Sequence, residues 1–111
     1  MIKIAIVDDN LFLQKTVQEK LSFFEDIEIK SKSLNGKELL QKLEKNSNLD
    51  LILMDIEMPE MNGVEATSEV KKRYPHIKIL MLTVFDNDEK IFKSIKAGAD
   101  GYLLKEINPQ E

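Results

Sequence analysis

Cysteine is absent from the 111 residues, which excludes a disulfide framework and thiolate metal sites and permits a reducing compartment. Positive charge is scarce too. Lys and Arg number 16 against 20 Asp and Glu, a net charge of −4. With no basic stripe to neutralise phosphates, this segment is not expected to bind nucleic acid itself. No apolar run approaches the length of a membrane span, so no membrane contact is expected. The opening Met1 to Val7 is too short for a signal peptide's core and runs straight into acids. Internal repeats and low-complexity linkers are also missing. What remains, 42% apolar and 32% charged residues, predicts a single folded, cytoplasmic domain long enough to bury a core.

Apolar and amphipathic segments alternate five times along the chain. Ile2 to Val7 reads as a central strand, followed by Asn10 as a helix cap and by Leu13, Val17, Leu21 and Phe24 on one helical face. Ile27 and Ile29 alternate with Glu28 and Lys30, which predicts a half-exposed strand at a sheet edge. Asn35-Gly36 opens a second helix with Leu39, Leu40 and Leu43 inward, and Leu51 to Met54 is a third strand, apolar on both faces. A loop with Pro59 and Asn62-Gly63 leads to a third helix that stops at Tyr74-Pro75. Lys78 to Thr83 is a fourth strand. Asp86 to Asp88 can cap a fourth helix with Ile91, Phe92 and Ile95 inward, ended by Gly98. Tyr102-Leu103-Leu104 is a short fifth strand.

This repeated pattern specifies an α/β fold: a doubly wound, flavodoxin-like, five-stranded parallel sheet. An edge position for the second strand fits the order 2-1-3-4-5, in which the first and third strands flank the switch point where such sheets bind ligands. Both of those strands end in acids, Asp8-Asp9 and Asp55. Three carboxylates gathered there repel one another and need a cation, and oxygen ligands of this kind suit Mg2+.

Taken in order, several residues carry a resemblance. They are Asp8-Asp9, Asp55 within Met54-Asp55-Ile56-Glu57-Met58-Pro59, Asn62-Gly63, Thr83, Gly98-Ala99-Asp100-Gly101-Tyr102, and Lys105. Over essentially its whole length the chain resembles the receiver domain of a two-component response regulator. Met81-Leu82-Thr83 and Leu104-Lys105-Glu106 look most like receivers that carry a LuxR-type helix-turn-helix output domain.

The resemblance implies that Asp55 is the phosphoacceptor, charged by a histidine kinase. It also implies that Asp9, Asp55 and the backbone carbonyl of Glu57 ligate Mg2+, with Asp8 acting through water. Thr83 and Lys105 would contact the phosphoryl group, and Tyr102 would be the switch aromatic. Glu57, Val84 and Phe85 would modulate the dephosphorylation rate, Val84 being bulkier than the small residue many receivers carry there. Each has a plainer reading beside it. Asp9 or Asn10 alone could cap a helix, Lys105 could be a solvated strand end, Thr83 could reflect β-propensity, and Tyr102 could pack at a sheet edge. His76, in Tyr74-Pro75-His76, reads as surface.

The expected function is a phospho-accepting switch that changes the helix 4 and strand 5 surface to control an output such as transcription. It would not be an enzyme beyond its own phosphorylation and dephosphorylation. Two alternatives are a Mg2+-dependent phosphatase on a similar sheet, with Glu57 as acid, and an interaction module that lost the chemistry. Asn108, Pro109 and Glu111 read as the start of a fifth helix. The chain is therefore expected to be a receiver truncated before that helix, with a homodimer as one consequence and DNA contacted only through an output domain it lacks.

Overall fold

A computed structural model of the chain describes residues 1–83 and 88–104, leaving out the side chains of Thr83 and Leu104. The elements alternate: β1 (Ile2–Val7), α1 (Leu11–Leu21), β2 (Ile27–Ser33), α2 (Gly36–Lys45), β3 (Leu51–Asp55), α3 (Gly63–Arg73), β4 (Lys78–Thr83), α4 (Asp88–Lys96) and β5 (Gly101–Leu104). The strands are parallel in the order β2-β1-β3-β4-β5, the order expected, with the half-exposed second strand at an edge. The signal for a fifth helix at Asn108-Pro109 lies outside the described residues.

Side chains on a strand alternate between faces, and both faces of this sheet are apolar. Ala5, Val7, Ile52, Met54, Ile79 and Met81 join Leu39, Leu40 and Leu43 of α2 and Ala66 and Val70 of α3 in one core. Ile4, Ile6, Leu53 and Leu82 form a smaller second core, partly covered by Val17 and Leu21 of α1. Burying one such side chain contributes about 1.5–3 kcal/mol, so the larger core dominates the stability of the sheet.

Helix starts follow the sequence signals. Asn10, Asn35 and Asn62 each accept a backbone N–H three residues on, and Asn62 with Glu65 forms a reciprocal capping box. Gly98, at φ +112°, ends the turn after α4 in the left-handed region.

Two helical faces differ from the expectation. Phe92 and Ile95 of α4 are exposed at 62% and 51%, while Ile91 and Ser94 face inward. Ser94 tolerates burial because its hydroxyl donates to Lys90 O at 2.8 Å. Phe24 lies past the end of α1 and is exposed, whereas Gln14 is the buried side chain of that helix.

The amino edge of the sheet is stitched by two other aspartates. Asp50 Oδ2 accepts Lys3 N–H at 2.8 Å, and Asp100 Oδ2 accepts Ile79 N–H and Lys71 Nζ, each at 2.8 Å. Desolvation raises the Asp100 carboxyl, but the hydrogen bonds from Lys71 and Ile79, with the charges of Lys71 and Lys78, outweigh it. The group is held below the ordinary carboxylate range.

Candidate functional site

Val7 pairs with Met54 across the β1–β3 ladder, so the next residue on each strand, Asp8 and Asp55, emerges side by side at the carboxyl edge. Asp9 follows at the exposed rim. Ligand oxygens from Asp8, Asp9 and Asp55 all lie within 4.8 Å of one another. Two unit charges at about 4 Å interact with about 4 kcal/mol at an effective dielectric near 20. Bringing three like charges together at this spacing therefore opposes folding unless positive charge joins them. The donors are hard carboxylate oxygens at the spacing of a shared ion, which fits Mg2+ or Ca2+ and not a soft metal.

Local structure fixes each acid differently. Asp8 is 1% exposed. Its N–H donates to Ser33 O at 3.0 Å, and its Oδ1 accepts Asn10 N–H at 2.9 Å. Asp55, almost fully buried, closes β3. The chain behind it turns tightly enough for Gly63 N–H to donate to Ile56 O at 2.8 Å. A Cβ at Gly63 would stand 2.0 Å from Asp55 O, so only glycine lets the start of α3 approach the phosphoacceptor candidate this closely.

The remaining expected site residues divide. Glu57 is exposed on the loop after Asp55, and its carboxylate is ion-paired with Lys90 of α4. Tyr102 is 44% exposed on β5. Thr83 ends β4, opposite Leu104 of β5. Val84, Phe85 and Lys105 lie outside the described residues, as does the cap signal at Asp86. His76 is exposed in the turn after α3, within 3.2 Å of Ser47 O.

One buried residue beside the acids escapes sequence reading. Gln14 Nε2 donates to Asp8 O and to Ser33 O, both at 2.7 Å. A faint signal exists: a glutamine interrupts the apolar stripe of α1 next to Leu13 and four residues from Asn10.

Residues 4–111 match the family model of the response regulator receiver domain. The chain belongs to that family. It is 40% identical over 110 residues to the response regulator protein VraR of Staphylococcus aureus, covering 99% of this chain and 52% of VraR. The chain thus spans about half the length of the curated relative it matches. Among solved structures, a CheY-like receiver domain protein from Methanospirillum hungatei superimposes with a TM-score of 0.84. It is 34% identical, with 99% of this chain and 86% of that chain covered. A LuxR-family DNA-binding response regulator from Staphylococcus aureus superimposes with a TM-score of 0.87 at 28% identity, covering 97% of this chain and 89% of its own.

This receiver is therefore a module of two-component signalling and not a classical enzyme. Its sheet order and helix placement are those of the CheY-like fold. Among the described residues, no helix is long and apolar enough to cross a membrane.

Proposed function

We propose that Asp55 accepts the phosphoryl group in this receiver and that Asp8 and Asp9 hold the Mg2+ it requires. The observation that carries the reading is the convergence of the three carboxylates at the carboxyl edge of adjacent strands. A carboxylate oxygen of Asp55 attacks phosphorus, forming an acyl phosphate as the P–N bond to a histidine of the kinase breaks and its electron pair returns to the imidazole. Bound Mg2+ would supply charge neutralisation for the acids and the incoming phosphoryl oxygens. Asp9, Asp55 and the Glu57 carbonyl would be its direct ligands, and Asp8 would hold it through water.

Thr83 and Lys105 engage the phosphoryl oxygens, and Tyr102 reports the change at the α4 and β5 surface. A ring 44% exposed has room to become more buried. Glu57, Val84 and Phe85 set access to the phosphoryl group and hence its lifetime, which the domain itself governs. In the whole protein, acting in the cytoplasm, a histidine kinase partner charges the receiver. A DNA-binding output of the LuxR type then turns phosphorylation into transcription control through a homodimer. The family match and the LuxR-family structural relative support this assignment.

Intact-mass analysis after incubation with Mg2+ and acetyl phosphate tests the reading. One added phosphoryl group is expected, lost on chelation and lost in Asp55→Asn. An unmodified wild-type chain, or equal modification of Asp55→Asn, would contradict it.

A further inference from the structure

We propose that Gln14 is a positioning residue for the metal acids, fixing the peptide between Asp8 and Asp9; the inference rests on the Mg2+ reading above. Asp9 is exposed, so its side chain cannot be aimed by packing and must be aimed by the backbone that carries it. The peptide plane before Asp9 contains Asp8 C=O, which accepts Gln14 Nε2 at 2.7 Å. The plane after it contains Asn10 N–H, which donates to Asp8 Oδ1 at 2.9 Å. Both planes flanking the exposed ligand are thus held by hydrogen bonds, one of them from Gln14.

Gln14 is itself anchored. It is 4% exposed, its backbone N–H donates to Asn10 O at 3.0 Å, and its Nε2 also donates to Ser33 O at 2.7 Å. Ser33 O in turn accepts Asp8 N–H. One amide therefore joins the carboxyl ends of β1 and β2 to α1. A buried amide is costly to place unless its hydrogens are used, and here both hydrogens point to carbonyls. Leucine or methionine would suit the apolar stripe better on packing grounds, but neither could donate to Asp8 O. Hydrogen bonds that orient ligand-bearing groups commonly govern metal affinity, and this one acts on the peptide of two candidate ligands at once.

The test compares Gln14→Met, which keeps the volume and removes the donors, with Leu43→Ala, a core substitution in the larger hydrophobic core. Mg2+ affinity is measured by calorimetry, and the Mg2+ dependence of acetyl-phosphate labelling is measured alongside. For Gln14→Met the Kd for Mg2+ should rise about tenfold, and the Mg2+ concentration that gives half-maximal labelling should rise with it. Leu43→Ala should lower the denaturant midpoint and leave the Kd unchanged. An unchanged Kd in Gln14→Met, or an equal rise in Leu43→Ala, would overturn the proposal.

A readout on the wild-type chain covers the case in which Gln14→Met does not fold. In a Mg2+ titration followed by NMR, the Gln14 side-chain NH2 signals should shift with the same midpoint as the Asp9 amide. Unmoved NH2 signals beside a shifting Asp9 amide would overturn the role of Gln14 alone. A wild-type chain that binds no Mg2+ would instead overturn the metal reading itself.

Discussion

Aspartates stand at both ends of this sheet, and the two sets are built in opposite ways. At the amino edge, Asp50 and Asp100 each have a partner of their own. Each accepts the N–H of the second residue of a neighbouring strand, and Asp100 adds an ion pair with Lys71 at 2.8 Å. At the carboxyl edge, Asp8, Asp9 and Asp55 face one another within 4.8 Å. The first arrangement lowers the free energy of the folded chain as it stands. In the second the acids repel one another, and only positive charge brought to the cluster offsets that repulsion. Identical side chains on one sheet therefore act as structure at one end and, in the function proposed above, as chemistry at the other, and what separates them is the group each carboxylate faces.

The largest effect expected at the carboxyl edge comes from Gly63→Ala. Its Cβ would stand 2.0 Å from Asp55 O, against backbone that cannot rotate away. A loss of about 3 kcal/mol by denaturant midpoint is expected, at the upper end for overpacking, together with loss of phosphoryl labelling. A stable, fully labelled variant would mean that the approach of α3 to Asp55 is looser than it looks.

Mg2+ should come next. At a hundredfold excess over its Kd, a ligand that binds only the folded state adds about 2.7 kcal/mol, and Asp9→Ala should abolish that gain. Equal stabilisation of wild type and Asp9→Ala would remove Asp9 from the ligand set.

Neutralising one acid at each edge should then give opposite signs without Mg2+. Asp9→Asn relieves repulsion and is expected to leave stability unchanged or raise it by up to about 1 kcal/mol. Asp100→Asn loses a partly exposed ion pair and should cost up to about 1 kcal/mol, an effect screened by salt. The same sign in both variants would break the contrast.

The smallest effect is in acid. The Asp100 carboxyl titrates below its ordinary value near 3.8 in the folded chain. Its contribution is therefore present above that value and is lost as pH falls through the lower folded-state value. Asp100→Asn should be less sensitive to acid in this window than wild type. Parallel stability curves below about pH 4 would show that the ion pair does not hold the carboxyl down.

The carboxyl-edge acids are legible in the sequence because apolar runs that stop in aspartate can be read without any knowledge of contacts. The edge place of β2, which fits the observed strand order, is legible in the half-exposed pattern of Ile27 to Lys30. The structural acids are not legible, since Asp50 and Asp100 reach strands distant in sequence, their partners lying 47 and 21 positions away. Apolar character alone points Phe92 and Ile95 inward, yet the backbone of α4 turns Ser94 to the interior, where its hydroxyl is satisfied within the helix. Gln14 escapes for the converse reason, a polar side chain whose partners are backbone carbonyls that composition cannot reveal. Lys105, Val84 and Phe85 lie outside the described residues, and their roles rest on the family resemblance alone.

The central claim is that the acid at position 55, and not one of its neighbours, takes the phosphoryl group. Reductive trapping of the acyl phosphate with borohydride after labelling, followed by peptide mass spectrometry, tests it directly. Conversion at Asp55 alone, dependent on Mg2+, is the predicted result. Conversion at Asp8 or Asp9, or a phosphoryl group on a hydroxyl side chain, would contradict it.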